Sequence, residues 1–293
     1  MKPSVLHPHG FCAGVKAALE TARRHPGAYC LHEIVHNELV VGELAAKGMK
    51  FVESLDDVPD GETVIFSAHG VSPSIRAKAQ EKHLKVIDAT CPFVAKVHKE
   101  ARLYASQGMD VVVIGHKGHA EVNGIVGEVE AVPGAKAYVF PDEPAPGSRI
   151  GVVSQTTMNS GDVASTIALL KTRHDVHTSA DVCHATKERQ DAVKAFEGDA
   201  LIVLGGAKSS NTRRLVEVAK CPAFRVGTME ELEALDLSIY NRIGVTAGAS
   251  TPDSFLEEAM KYLDEAVAPT LTTISSRVAA AERGPGALPA PNS

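Results

Sequence analysis

Apolar residues at helical spacing alternate along this chain with short, almost continuous apolar runs. In the segment 13–24, for example, Val15, Leu19 and Ala22 fall on one helical face, and an apolar run at 29–35 follows. Helices of this kind are predicted after three cysteines: Cys12, Cys91 and Cys183. Strands are predicted at 29–35, 110–114 and 200–204. Helices that alternate with buried strands predict an α/β fold with mainly parallel sheets.

Polar loops follow the predicted strands at similar positions in three successive stretches of the chain. The first loop after each cysteine carries polar residues at 36–37, 116–121 or 208–211. A second polar loop follows a later strand of each stretch, at 67–70, 154–157 or 247–250. Because ligands gather at the carboxyl ends of strands in open α/β sheets, we expect the loops to line the active edges.

This threefold plan predicts three pseudo-repeated α/β domains. The expected bounds are 1–90 with Cys12, 91–182 with Cys91, and 183–268 with Cys183, followed by a C-terminal tail at 269–293. Units of about 90 residues are small for independent stability, so we expect them to pack on one another around a common centre.

Composition excludes several classes of partner. A hydrophobic content of 44% supports real cores, and a net charge of -6 with no tryptophan argues against binding nucleic acid. No apolar run approaches the roughly 20 residues that span a bilayer, so no membrane association is expected. The glycine-rich segment 205–208 matches neither a P-loop nor a dinucleotide fingerprint, and no bound nucleotide is expected.

Five scattered cysteines do not form a disulfide framework, and they favour a reducing, cytoplasmic location. Cys12, Cys91 and Cys183 recur at intervals of 79 and 92 residues, each before a predicted helix. Thiolates at helix N-termini suit an iron–sulfur cluster or zinc, and three of them leave one coordination position open. Cys30 and Cys221 are interpreted as packing residues.

The polar loops also predict an anion site. His36, His69 and His119 stand at strand ends, although a loop histidine is often simply exposed to water. The other candidates are hydroxyl and amide residues: Ser209, Ser210, Asn211 and Ser250. Imidazoles, hydroxyls and amides near helix N-termini suit phosphate or diphosphate, and capping alone is the alternative explanation for Ser250.

Glu121 is the acidic residue among these polar loops, two positions after His119. Most glutamates are solvated surface residues. A carboxyl group close to a metal and a phosphate is, however, a credible proton donor, and we interpret Glu121 in that way.

Nine short motifs then carry a resemblance to a known family. They are GFCAGV (10–15), HEIVHN (32–37), FSAHGV (66–71), DATCP (88–92), HAEV (119–122), SQTT (154–157), DVCHAT (181–186), KSSN (208–211) and GVTAGAS (244–250). In this order they resemble the 4-hydroxy-3-methylbut-2-enyl diphosphate reductases, which act last in the methylerythritol phosphate route to isoprenoids.

The resemblance implies a cytoplasmic enzyme with three α/β domains around a 4Fe-4S cluster. Cys12, Cys91 and Cys183 match the cluster ligands, and the fourth iron takes the hydroxyl oxygen of the substrate. The residues that match the diphosphate site are His36, His69, His119, Ser209, Ser210, Asn211 and Ser250. Thr156 matches a residue that hydrogen-bonds near the substrate hydroxyl, and Glu121 matches the proton donor.

The implied reaction removes that hydroxyl as water with two electrons and two protons, and yields isopentenyl and dimethylallyl diphosphates. Electrons are expected from a reduced ferredoxin or flavodoxin. Ala120 and Ile125 stand where the family commonly has proline and threonine, which puts the rigidity of the Glu121 loop, and the rate, in question.

Two other functions remain open from the residues alone. A hydrolase or transferase of a phosphorylated metabolite would use one cysteine as nucleophile and a histidine as base. A diphosphate-binding protein without enzymatic activity would hold structural zinc at the three cysteines. The iron content of the protein separates both from the cluster hypothesis.

Overall fold

The computed structural model describes residues 3–179 and 182–267. Its strands are β1 (Ser4–Val5), β2 (Tyr29–Leu31), β3 (Lys50–Val52), β4 (Thr63–Phe66), β5 (Lys85–Asp88), β6 (Asp110–Ile114), β7 (Ala137–Val139), β8 (Arg149–Ser154), β9 (Asp175–Thr178), β10 (Ala200–Leu204), β11 (Ala223–Val226) and β12 (Ile243–Ala247). Its α-helices are α1 (Ala13–Arg23), α2 (Glu38–Ala46), α3 (Pro73–Glu81), α4 (Pro92–Ser106), α5 (Ala120–Glu130), α6 (Ser160–Lys171), α7 (His184–Ala195), α8 (Ser210–Glu217), α9 (Met229–Glu233) and α10 (Asp253–Val267).

The strands form three four-stranded sheets in which every pairing is parallel. The first sheet has the order β3-β2-β4-β5 and the second has the order β7-β6-β8-β9. The third has the order β11-β10-β12-β1 when it is read in the same direction. The predicted fold class of three parallel-sheet α/β domains is therefore confirmed.

Strand β1 occupies the edge position in the third sheet that β5 and β9 occupy in the first two. Ser4 and Val5 pair with Gly244 and Val245 of β12, although they lie at the opposite end of the chain. Each cysteine consequently follows the edge strand of one sheet and precedes the first helix of the next domain. This arrangement closes the three domains into a ring in sequence as well as in space.

The sheets are buried because helices cover both faces. All five residues of β10 and of β12 are buried, as a parallel strand with helices on both sides requires. Helix α1 packs on the first sheet through Ala18, Leu19 and Ala22. The cores of the second and third sheets are built in the same way from valine, isoleucine and leucine.

The first and second domains meet at a glycine-lined contact beside His98 of α4. A Cβ atom on Gly124 of α5 would lie 2.7 Å from His98 Cε1, and one on Gly70 would lie 3.0 Å from the same atom. Close approach at these positions therefore requires residues without a side chain. The contact holds the loop after β4 against α5.

The structure differs from the sequence expectation at the strand predicted for 29–35. Strand β2 ends at Leu31 because His32 adopts a left-handed backbone with φ of 60°. Ile34 and Val35 are apolar and buried, but they lie in the loop that leads to His36. The expected domain bounds stay a proposal, with β1 belonging to the third sheet, and the tail predicted at 269–293 lies outside the described residues.

Candidate active site

One central cavity collects every residue that the sequence marks as a candidate. The predicted residues that line it are Cys12, His36, His69, Cys91, His119, Glu121, Thr156, Cys183, Ser209, Ser210, Asn211 and Ser250. They come from all three domains, and most are separated by tens of residues in the chain. Apolar side chains such as Val15, Val94 and Phe93 complete the lining.

Each of the three cysteines is the N-cap residue of a helix, namely of α1, α4 or α7. The amide of Cys91 donates to the carbonyl of Ala68 at 3.0 Å, and the amide of Cys183 donates to that of Thr156 at 3.0 Å. The amide of Cys12 donates to Ala249 at 3.2 Å. Each cysteine is thus tied to the second polar loop of the preceding sheet, so the thiols and the polar loops are held in fixed relation.

The spacing of the thiols bears on which metal they fit. Among the residues that the structure describes, His36, His69 and His119 form the one group of three metal-binding side chains whose ligand atoms all lie within 4.8 Å of one another. At least one pair of the three cysteine sulfurs is therefore farther apart. The three thiols are therefore less tightly grouped than the three imidazoles, whereas one tetrahedral zinc ion would draw its ligands closely together.

Two of the thiols, those of Cys91 and Cys183, also lack the electrostatics of a cysteine nucleophile. Burial raises the pKa of Cys91 and of Cys183, although nearby backbone amides at the start of each helix act in the opposite direction. A nucleophilic cysteine usually needs a lowered pKa. Metal coordination deprotonates such thiols, and the cysteines of the chain are free rather than disulfide-bonded.

The three histidines converge in the same cavity. The rings of His36 and His69 stack with centroids 4.4 Å apart, and His119 lies edge-on to both at 5.3 and 5.5 Å. Burial lowers the pKa of His69 well below its usual range and that of His119 to about 4, and neighbouring imidazoles add to the effect. A bound anion would offset both effects, because its negative charge favours the protonated, charged form of the rings.

The tautomer of His119 favours an anion over a metal ion. The Glu121 amide donates to His119 Nδ1 at 3.2 Å, so the neutral ring carries its proton on Nε2. Nε2 is then a hydrogen-bond donor, which suits a phosphate oxygen. A metal ion would need the lone pair at that atom.

The hydroxyl and amide residues lie at the start of α8. Ser209 caps this helix, Ser250 Oγ lies 3.4 Å from Ser209 Oγ, and Thr157 Oγ1 donates to Ser210 Oγ at 2.9 Å. Asn211 is 4% exposed, and within the described part of the chain neither its Oδ1 nor its Nδ2 has a hydrogen-bond partner. A buried amide without protein partners is suited to a ligand or an ordered water, because the desolvation of its polar atoms is otherwise uncompensated.

Glu121 is buried in the wall of the cavity and held by Thr156. The amide of Thr156 donates to Glu121 Oε1 at 2.7 Å, and its hydroxyl lies 3.1 Å from Oε2. Burial raises the pKa of Glu121 to about 7, although both Thr156 contacts lower it. The carboxyl group is therefore poised to carry and release a proton near neutral pH.

Sequence reasoning did not identify Glu33, a side chain that supports the site. Glu33 accepts from Lys208 Nζ at 2.8 Å and from His36 Nδ1 at 3.0 Å, which links the first and third domains beside the histidines. Burial would raise the pKa of Glu33, but these two contacts outweigh it and lower the pKa. Glu33 lies inside the quoted motif HEIVHN and Lys208 inside KSSN, so the motifs themselves point to both residues.

Fold and site define a class: three-domain α/β proteins in which a cysteine-lined cavity adjoins a binding pocket built from histidines, hydroxyls and amides. No helix in the described part of the chain is long and apolar enough to cross a membrane. The family described as LytB protein matches residues 4–264. The chain belongs to the LytB family, whose enzymes are iron–sulfur proteins.

Relatives with curated names agree with this placement. The chain is 43% identical over 286 residues to the 4-hydroxy-3-methylbut-2-enyl diphosphate reductase of Aromatoleum aromaticum, with 92% of each chain covered. It is also 43% identical over 281 residues to 4-hydroxy-3-methylbut-2-enyl diphosphate reductase 2 of Burkholderia mallei, with 89% of this chain and 85% of that one covered.

Solved structures show the same fold. The E-1-hydroxy-2-methyl-but-2-enyl-4-diphosphate reductase from Plasmodium falciparum superposes with a TM-score of 0.81 at 34% identity, and 90% of this chain and 88% of that one are covered. A second structure, of (E)-4-hydroxy-3-methyl-but-2-enyl diphosphate reductase, the terminal enzyme of the non-mevalonate pathway, has a TM-score of 0.63 at 32% identity, and 90% of this chain and 99% of that one are covered.

Proposed function

We propose that this chain is a 4-hydroxy-3-methylbut-2-enyl diphosphate reductase. It removes the allylic hydroxyl group of its substrate as water with two electrons and two protons, and forms isopentenyl and dimethylallyl diphosphates. The observation that carries this proposal is the convergence of three thiols, three imidazoles and a buried protonatable carboxyl group on one cavity. Family membership supports it independently.

Cys12, Cys91 and Cys183 would hold a 4Fe-4S cluster. Three soft donors from three domains fit a cluster with one iron that lacks a protein ligand. When bound, the cluster supplies electrons one at a time and Lewis acidity toward the hydroxyl group. Gly14 helps to place it, because a Cβ on Gly14 would lie 2.4 Å from Cys91 Sγ and only glycine leaves that space.

The diphosphate binds where the three histidines meet the start of α8. His119 donates through Nε2, and the buried amide of Asn211 gains the partner that it lacks in the free protein. His36, His69, Ser209, Ser210 and Ser250 surround the same space. The N-termini of α5 and α8 add positive potential for a multiply charged anion.

Glu121 and Thr156 together protonate the leaving hydroxyl group. With Glu121 protonated, its carboxyl group can donate to Thr156 Oγ1, and the threonine hydroxyl is then free to donate into the cavity. A hydroxyl group leaves far more readily as water than as hydroxide, so delivery of a proton at this atom addresses the main barrier.

A reduced ferredoxin or flavodoxin would supply the electrons. A depression lined by Lys96, Lys187 and the acidic Glu100 shares Cys183 and Thr156 with the central cavity, which gives an electron carrier a short approach. The free cysteines fit a reducing compartment, and we propose the cytoplasm as the location.

Turnover tests the proposal directly. Anaerobically purified protein, reduced chemically and supplied with 4-hydroxy-3-methylbut-2-enyl diphosphate, should form both isopentenyl and dimethylallyl diphosphates. Protein in which Cys91 is replaced by serine serves as the matched control and should form neither. Hydrolysis of the diphosphate without reduction of the carbon skeleton would support the rival hydrolase instead.

A further inference from the structure

The chain buries a cation, Arg189 of α7, close to the proposed metal centre. Arg189 is 4% exposed. Its Nη1 donates to the carbonyl of Ala185 at 2.8 Å and its Nη2 donates to the carbonyl of Gly10 at 2.8 Å. Ala185 is two residues after Cys183, and Gly10 is two residues before Cys12. One guanidinium group therefore links the segments that carry two of the three cysteines.

All partners of this guanidinium are neutral. Within residues 3–179 and 182–267, no carboxylate oxygen lies within 4.0 Å of it, and its buried Nε has no hydrogen-bond partner. A buried charge normally has an opposite charge beside it, because desolvation is otherwise costly. Arg189 departs from that rule in the protein without its metal centre.

When the cysteines ligate a metal centre they do so as thiolates, which adds negative charge near Arg189. Burial lowers the pKa of Arg189, whereas thiolates at Cys12 and Cys183, and more weakly the neighbouring carboxylate of Glu188, favour its charged form. Three thiolates bring negative charge into a cavity that excludes water, and each added electron increases that charge. The reduction potential of such a centre depends on the net charge around it, so a fixed cation should make reduction easier.

We propose that Arg189 is the buried counter-charge of the metal centre, which stabilises its thiolate-ligated and reduced forms and holds the Cys12 and Cys183 segments together. The inference rests on the proposed cluster at the three cysteines. Arg189 acts through its charge and through the backbone segments that it holds, and the proposal assigns it no contact with the substrate.

Three substitutions separate charge from shape. Arg189→Lys keeps the charge and loses the forked donor geometry, whereas Arg189→Gln and Arg189→Met remove the charge. Arg173→Gln is the matched control, because Arg173 pairs with Glu143 at 2.6 Å and does not line the cavity. The measurements are the iron content, the rate of iron loss to a chelator, the midpoint potential, and the melting temperature of metal-free protein.

We expect Arg189→Gln and Arg189→Met to lose iron roughly tenfold faster than wild type, as second-layer changes at metal sites commonly do. Their midpoint potential should shift to more negative values, and Arg189→Lys should stay closer to wild type in both respects. Metal-free Arg189→Met should melt close to the wild-type temperature, because removal of an uncompensated buried charge offsets the loss of the hydrogen bonds to Ala185 and Gly10. Arg173→Gln should change the melting temperature alone.

Wild-type potential and iron retention in Arg189→Gln would overturn the inference. Equal damage from Arg189→Lys and Arg189→Met would also overturn it, because shape rather than charge would then be the cause. If the neutral variants do not fold, the midpoint potential of Arg189→Lys is the test. A value close to wild type supports the inference, and a clearly more negative value overturns it. Wild-type protein without iron would instead contradict the proposed function, so the two failures are distinguishable.

Discussion

Glu121 is the side chain on which the proposed proton chemistry depends. Its carboxyl group is 2% exposed and held by two contacts from Thr156. We expect Glu121→Gln to retain iron and bind diphosphate, yet to lose about 10²- to 10⁴-fold in turnover, the usual contribution of general acid catalysis. Steady-state kinetics together with iron analysis check this result. Wild-type turnover in the variant would show that another group donates the proton.

The raised pKa of Glu121 gives the rate a pH dependence. A donor must be protonated, so activity should fall as the pH rises through about 7. Because Glu121→Gln carries no such proton, its residual activity should not show this transition. A pH profile of kcat/KM for both proteins tests the assignment, and the same transition in both would assign it to a different group.

The raised pKa of Glu121 also determines how the stability of the metal-free protein depends on pH. The pKa of Glu121 is raised from 4.5 to about 7, so folding favours the protonated form. The resulting penalty is absent below pH 4.5, grows as the pH rises toward 7, and is complete above that value. Glu121→Gln removes a penalty on the order of 3 kcal/mol at pH 8. Urea unfolding should show that the variant gains more stability relative to wild type at pH 8 than at pH 5.

Asn211 offers a test of the diphosphate site that separates binding from folding. Its buried amide has no partner among the described residues, so Asn211→Leu should leave the free protein as stable as wild type or more stable. Diphosphate affinity should fall roughly 10- to 100-fold, because hydrogen bonds to a charged ligand are lost. Inhibition by inorganic diphosphate measures the affinity, and unchanged inhibition would remove Asn211 from the site.

At the scale of single elements, helix α5 is held at both ends. Glu121 lies near its start, and Glu128, seven residues later on the same face, accepts from Arg76 of α3 at 2.9 Å and lies 3.4 Å from His98 Nδ1. The Arg76 contact crosses from the second domain to the first, whereas the His98 contact joins two helices of the second domain. The orientation of Glu121 toward the cavity therefore depends on a buried carboxylate more than one helical turn away.

Glu128→Gln should loosen this helix without touching the cavity. Burial alone would raise the pKa of Glu128, but His98 and Arg76 outweigh it and lower the pKa. The stability from this carboxylate is present above the unfolded pKa and lost as the pH falls through the lower folded value. We expect a loss of about 1–2 kcal/mol at pH 7, since Arg76 is partly exposed and can be rehydrated. Chemical denaturation checks this, and equal stability of variant and wild type at pH 7 would contradict it.

Sequence periodicity predicted elements well where a run of apolar residues is fully buried. Strands β6 and β10 coincide with the predicted segments at 110–114 and 200–204. The segment 29–35 was predicted as one strand, because a buried loop with Ile34 and Val35 has the same apolar pattern. Nothing in that pattern encodes the left-handed backbone at His32 that ends β2.

At the scale of the whole molecule, the repeated cysteines predicted the residues that line the cavity but not the buried side chains that hold its walls in place. The twelve candidate residues stand in short motifs beside strand ends, so sequence alone could identify them. Arg189, His98 and Glu128 act through contacts between helices far apart in the chain, and a single buried charge has no sequence pattern. Strand β1 was missed for the same reason, because two residues carry no periodicity and their partner lies near residue 245.

The ring of three sheets explains why one cavity can hold three thiols and three imidazoles. The edge strands β1, β5 and β9 each lead to a cysteine, and each cysteine amide is anchored to the loop at the end of the neighbouring central strand. Ligand binding to such a site joins all three domains, so loss of a single thiol should affect the whole centre rather than one domain.

Iron content is the most direct test of the central claim that Cys12, Cys91 and Cys183 hold one iron–sulfur cluster. Anaerobically purified wild-type protein should be brown and contain roughly four irons per chain, and Cys91→Ser should lose most of that iron. Colourless wild-type protein that contains zinc or no metal and is fully active, or full iron content in Cys91→Ser, would contradict the account.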